Sequence, residues 1–277
     1  MSRKRMTQIF PFLLPVRVMQ QKMLFYAGMR FDGCRYAKTI DNNQLPNKLF
    51  ETDCALYNTN TGFDMMYQEN KVFNLKLAAE TLNGLLIKPG ETFSFWQVVR
   101  QADKQIPYKE GLIMKNGKLT TTYGGGMCQM SNLLFWMFLH TPLTVTERIG
   151  HVVKEFPEQN SDLIKGVDAT ISEGWIDLKA RNDTCSTYQI SVTFNDESIF
   201  GAVSVDKRPQ VLYRIVNGKV TYSREHRRVY ELVPVERVET DAKTGVVIEQ
   251  KLLYTNKCEI CYALPENFEI VERGQLI

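Results

Sequence analysis

Between residues 71 and 87, Val72, Leu75, Leu77, Ala78, Ala79, Leu82, Leu85 and Leu86 recur mostly three or four positions apart. That period predicts an amphipathic helix, ended by Pro89-Gly90. Residues 91–95 (Glu91-Thr92-Phe93-Ser94-Phe95) then alternate as a half-buried strand does. A second helix is predicted over 127–140, stopping before Pro142. Its stretch 133–139 is apolar on every face, so it belongs inside the protein. Period-two stretches follow at 145–153, 168–180, 188–194 and 199–205, separated by turn residues, and predict an antiparallel sheet. Beyond Arg208, stretches 211–216, 220–224, 228–238 and 246–254 read as hairpins, with Asn217-Gly218 as a type I′ turn. Residues 1–48 show no regular period and are taken as an N-terminal extension. The expected architecture is α+β: two helices on an antiparallel sheet within 49–206, then a small β-rich domain over 207–277.

Composition narrows the class. With 44% hydrophobic, 11% aromatic and 23% charged residues, the chain is a folded protein and not a disordered tail, collagen-like repeat or coiled coil. Thirty-four Lys and Arg against 31 Asp and Glu leave +3, a balance that names no nucleic-acid or acidic-membrane partner. No apolar window approaches the roughly 18 residues of a membrane span. The basic start Met1-Ser2-Arg3-Lys4-Arg5 resembles a leader peptide, but Pro11 and Pro15 interrupt the apolar run behind it and Arg17 stops it, so none is expected. Six cysteines (Cys34, Cys54, Cys128, Cys185, Cys258, Cys261), scattered through a chain too long to need disulfide staples, fit a cytoplasmic protein.

One stretch concentrates chemistry: Tyr123-Gly124-Gly125-Gly126-Met127-Cys128-Gln129-Met130-Ser131, at the mouth of the buried helix. Three glycines permit a sharp turn and close approach of a ligand to the main chain. Cys128 then falls where the first helical N–H groups lack internal partners; such groups favour a thiolate and can hold an oxyanion. Gln129 is a further candidate donor. The alternative is a flexible loop followed by a small apolar helix residue, since free cysteine is usually buried. A phosphate loop is excluded because no Lys-Ser or Lys-Thr pair follows the glycines.

A cysteine nucleophile needs a base, and there are three histidines. His140 lies at the far end of the same helix, about 18 Å away at 1.5 Å per residue, where an imidazolium would meet the helix dipole. His226 sits in the solvated run Arg224-Glu225-His226-Arg227-Arg228. His151, on an expected strand beside the helix mouth, is the remaining candidate, and Asp168 is a candidate to orient it or, alternatively, to cap a turn.

The stretch 124–131, preceded by Pro89-Gly90-Glu91-Thr92-Phe93-Ser94-Phe95 and followed by Glu147-Arg148-Ile149-Gly150-His151, Asp168-Ala169-Thr170 and Ile176-Asp177-Leu178, resembles the VanW family over about residues 49–206. Phe25-Tyr26-Ala27-Gly28-Met29-Arg30 and Cys258-Glu259-Ile260-Cys261-Tyr262 extend the resemblance to members carried in B-type vancomycin resistance operons. The resemblance implies an accessory role in glycopeptide resistance, with peptidoglycan precursor peptides and other resistance-operon enzymes as partners. Some larger exported relatives look like L,D-transpeptidases, which implies Cys128 as nucleophile, His151 as base and Asp168 as orienter. Gly124, Gly125, Gly126, Gln129, Ser131 and Arg148 would then contact substrate. A non-catalytic protein that binds a precursor or a resistance enzyme is the alternative.

Cys258-x-x-Cys261 offers only half of a tetrahedral zinc site, and no second Cys-x-x-Cys or His-x-His follows; neither metal nor cofactor is expected.

Overall fold

The structure, a computed structural model, describes residues 10–59, 62–115, 118–154, 164–264 and 269–272. The basic start on which the leader-peptide expectation rests, Met1 to Arg5, lies outside the described residues. Among the described residues, four helices and three main sheets make the fold α+β. The helices are α1 (Leu14–Phe31), α2 (Met66–Leu82), α3 (Phe95–Val99) and α4 (Cys128–Leu139).

The buried helix is α4. From Leu133 to Leu139 every side chain is buried, as the absence of a polar face requires. It lies on a five-stranded antiparallel sheet ordered Thr39–Ile40, Leu85–Ile87, Tyr188–Phe194, Ser198–Val205, Asn47–Ala55. Gly201 permits the close approach: a Cβ there would run into Met137 and Leu133 of α4. The amphipathic helix α2 starts earlier than its apolar period suggests and ends at Leu82; Leu85–Ile87 is a wholly buried strand of this sheet. A continuous apolar run does not distinguish a helix tail from a buried strand.

A four-stranded sheet joins Arg35–Tyr36, Glu91–Ser94, Lys179–Arg181 and Thr144–Glu147. The two long strands predicted over 145–153 and 168–180 are thus mostly loop. Their backbone donors go to side chains instead: Ala169 N–H to Asn132 Oδ1 at 2.7 Å, and Asp177 N–H to Glu147 Oε1 at 3.0 Å. Among the described residues, strand pairing in these ranges is confined to their ends, 145–147, 153 and 179–180, and to the isolated bridges Ile149 to Thr170 and Ser172 to Ile176.

The third sheet contains Thr221–Glu225, Arg228–Asp241 and Val247–Ile260, with Ile270–Glu272 and Val153–Lys154 at its edges. Val211–Asn217 pairs with Arg228–Asp241 and not with its sequence neighbour, so Asn217-Gly218 is not the expected hairpin turn. The Asn217 amide instead holds Lys165, donating to its carbonyl at 3.0 Å and accepting its N–H at 3.1 Å.

Residues 14–31, expected to be irregular, form α1. Pro15 is tolerated because it falls in the first turn, where its missing N–H has no intrahelical partner anyway. Apolar residues on both the inward and outward sides of α1 blur the period that would have announced it.

Candidate functional site

Helix α4 opens directly out of the glycine turn. Gly124 (φ 74°) and Gly126 (φ 92°) occupy the left-handed region that glycine alone enters freely. Gly125 serves a different need, since a Cβ there would strike the backbone of Gly111. The buried Asn74 of α2 locks the turn: its Nδ2 donates to the carbonyls of Lys109 (2.9 Å) and Gly125 (3.1 Å), and its Oδ1 accepts the Lys109 N–H (2.8 Å). Among the described residues, the N–H groups of Gly126, Met127 and Cys128 have no backbone acceptor, leaving three donors at the mouth of the helix beside the Cys128 thiol.

His151 and Asp168 come from two loops, not from strands. His151 Nδ1 lies 2.6 Å from Asp168 Oδ2, and the same oxygen accepts the His151 backbone N–H at 2.6 Å. Arg148 Nη2 donates to the other carboxylate oxygen at 2.7 Å, and Arg148 Nε donates to the Asp168 carbonyl at 2.6 Å. The hydrogen bond to Asp168 and a second to the Cys128 side chain push the His151 pKa up to about 10 against the opposing effect of burial. Burial would raise the Asp168 pKa, but the His151 hydrogen bonds and the Arg148 charge hold it below the usual carboxylate range. The imidazole is therefore an imidazolium at neutral pH, between the Asp168 carboxylate and the Cys128 sulfur.

The remaining predicted residues divide. Gly124 and Gly126 line the cleft in front of Cys128, while Gly125 turns its carbonyl to Asn74. Gln129 is not a donor to the cleft: its amide binds the Ala55 carbonyl at 2.7 Å and Cys54 Sγ at 3.4 Å. Ser131 is fully buried and donates to the Ala169 carbonyl at 2.6 Å, fixing the segment that carries Asp168. Arg148 is a holder of Asp168, packed between the rings of Phe135 and Tyr254, and is not a lining residue. His140 is far from the imidazolium expected at a helix end. It stacks on Phe50 at 3.7 Å, and burial lowers its pKa to about 4, so it is neutral. His226 is exposed at the turn between two strands.

The cleft measures about 1090 Å³, at the upper end of the volumes that hold small ligands. Trp96, Tyr108, Tyr123, Ile149 and Thr170 line it beside Cys128 and His151. The buried hydroxyls of Tyr108 and Thr170 have no hydrogen-bond partner among the described residues. Sequence reasoning missed both, and it missed Asn74, whose one signal is a polar residue among apolar neighbours in α2.

The third sheet also reaches this site. Asn256 Oδ1 accepts from Arg148 Nη2 at 3.2 Å, Cys258 Sγ donates to the His151 carbonyl at 3.3 Å, and Glu259 N–H donates to the Val152 carbonyl at 2.9 Å. The Cys258-x-x-Cys261 pair is thus split between a buried thiol against the His151 loop and an exposed one. Among the described residues, no group of three or more His, Cys, Asp or Glu side chains is placed to hold a metal.

Fold and site together define an α+β protein with a cysteine at the start of a buried helix, backed by a histidine and an aspartate. The chain belongs to the VanW family. A family profile described as VanW like protein matches residues 70–204. The chain is 70% identical, over 99% of its length and 100% of the relative's, to the vancomycin B-type resistance protein VanW of Enterococcus faecalis (strain ATCC 700802 / V583). It is also 32% identical over 114 residues, 41% of this chain and 36% of the relative, to the uncharacterized protein YoaR of Bacillus subtilis (strain 168). No solved structure matches.

Proposed function

We propose that this chain is an accessory protein of vancomycin resistance that transfers acyl groups of peptidoglycan-type peptides through Cys128. The supporting observation is the grouping of the Cys128 sulfur, the His151 imidazolium and the Asp168 carboxylate at the mouth of α4, facing a cleft of peptide dimensions. In the reacting form the thiol proton resides on His151. The sulfur attacks a peptide carbonyl, the C–S bond forms, and the developing oxyanion takes hydrogen bonds from N–H groups of Gly126, Met127 and Cys128. As the C–N bond breaks, His151 passes its proton to the leaving amine. An incoming amine or water then attacks the thioester, gives a proton back to His151 and releases the product, so no oxidant, metal or cofactor is consumed. Asp168 keeps Nδ1 engaged throughout, directing the other ring nitrogen to the reaction. The hydroxyls of Tyr108 and Thr170 hydrogen-bond the bound peptide. The same reading places the chain in the cytoplasm, where precursor peptides are assembled.

Incubation with defined muropeptides followed by intact-protein mass spectrometry tests this reading. A thioester adduct on Cys128, absent in Cys128→Ser, is the expected result. Saturable muropeptide binding with no adduct in any variant would replace catalysis with precursor binding.

A further inference from the structure

Helix α1 is docked on the body by one stripe and presents a second, apolar stripe to solvent. The inward stripe is Val18, Gln21, Lys22, Phe25, Tyr26 and Met29, spaced by three and one as helix geometry requires. Lys22 pairs with Glu173, the Tyr26 hydroxyl donates to Glu173 at 2.8 Å, and the Gln97 amide donates to Met29 Sδ at 3.1 Å. On the other side Val16, Met19, Met23, Leu24 and Phe31 are 58–83% exposed, and Phe12 just ahead of the helix is 73% exposed. An exposed face that is largely apolar, broken by Gln20 and Arg30, marks an interaction site.

The charge around it identifies the partner. Residues 1–31 contain Arg3, Lys4, Arg5, Arg17, Lys22 and Arg30 and not one acidic residue. The remaining 246 residues carry 28 basic and 31 acidic side chains, so the chain's small positive total conceals a segment of +6 attached to a body of −3. Arg17 and Arg30 stand exposed near the two ends of the apolar stripe. A nucleic-acid surface would present its cations on the outward face itself. Here most of that face is apolar, with Arg30 at its C-terminal end and Arg17 at its edge, the arrangement of a helix lying in a bilayer interface among anionic headgroups. No helix of the described residues is long and apolar enough to cross a membrane.

We propose that the outward face of α1 seats the protein on an anionic lipid surface. Because Lys22 of the same helix also lines the cleft, seating α1 brings the rim of the Cys128 cleft to the headgroup layer. The proposal stands on α1 and the charge of residues 1–31 and is independent of any chemistry at Cys128.

Flotation of the full chain with phosphatidylcholine vesicles, with and without phosphatidylglycerol, is the test. Association is expected with the phosphatidylglycerol vesicles, weakened by salt and at least about tenfold stronger than with phosphatidylcholine alone. The double variant Met19→Glu/Met23→Glu should lose that association while keeping the wild-type melting temperature, since both side chains are exposed. If that variant does not fold, Arg17→Gln/Arg30→Gln carries the test through a flattened salt dependence. Absence of vesicle association, binding indifferent to phosphatidylglycerol, or a solution dimer abolished by the glutamates would each overturn the proposal, the last by assigning the face to a second copy of the chain.

Discussion

At the scale of single residues, the site rests on a proton held by His151. Its folded pKa is raised from 6.5 to about 10, by the Asp168 hydrogen bond first and then by Cys128. A raised folded pKa adds stability that is complete below about pH 6.5, the unfolded value, and is lost as pH rises through about 10. Thermal melts should therefore show a larger drop between neutral pH and about pH 10 in the wild type than in His151→Gln. A second outcome separates the three histidines. His151→Ala should slow formation of the Cys128 adduct by about 10²–10⁴, the usual worth of general acid–base catalysis. His226→Ala, exposed at a turn, should leave the rate alone, and His140→Ala should act only through stability, because His140 packs on Phe50 at the opposite end of α4. Asp168→Asn with unchanged folding should also slow the adduct; an unchanged rate would reduce Asp168 to a cap for the His151 N–H.

The elements set where those residues stand. Helix α4 supplies the Cys128 position, and α2 supplies the lock on the turn before it. Asn74→Ala should cost about 1–3 kcal/mol, because the Lys109 N–H and the carbonyls of Lys109 and Gly125 would lose a buried partner. Denaturant unfolding measures the loss, and Asn74→Leu should not restore it, since the missing interaction is polar. Gly201→Ala should also destabilise, by about 1–3 kcal/mol, through overpacking against Met137 and Leu133. Should Gly201→Ala prove neutral, the close approach of α4 to the sheet would not be a constraint on the fold.

Across the whole molecule, the site is shared among parts far apart in sequence. Tyr254 and Asn256 of the third sheet hold Arg148, which holds Asp168, which holds His151. Tyr254→Ala should therefore slow adduct formation although Tyr254 touches no reacting atom, and Cys128 alkylation measured beside the melting temperature distinguishes repositioning from unfolding. Much of this was legible in the chain. The apolar period of α2, the uniformly apolar α4 and the glycines before Cys128 are local signals, and the shortage of histidines narrowed the partner to His151. The geometry of His151 and Asp168 was not, because their loops are shaped by side-chain bonds from Asn132, Glu147 and Asp168 itself, which no alternation of polar and apolar residues encodes. Nor was α1, whose two apolar faces, one turned to the body and one to solvent, blur each other's period. The sequence by itself determined the amphipathic α2, the uniformly apolar α4 and the residue types available for chemistry, since all three follow from local spacing and composition. Only the tertiary structure decided that Gln129, Ser131 and Arg148 bond within the fold and do not line the cleft, that Tyr108 and Thr170 line it, and that the third sheet reaches His151. Those outcomes depend on which distant backbone groups compete for each hydrogen bond.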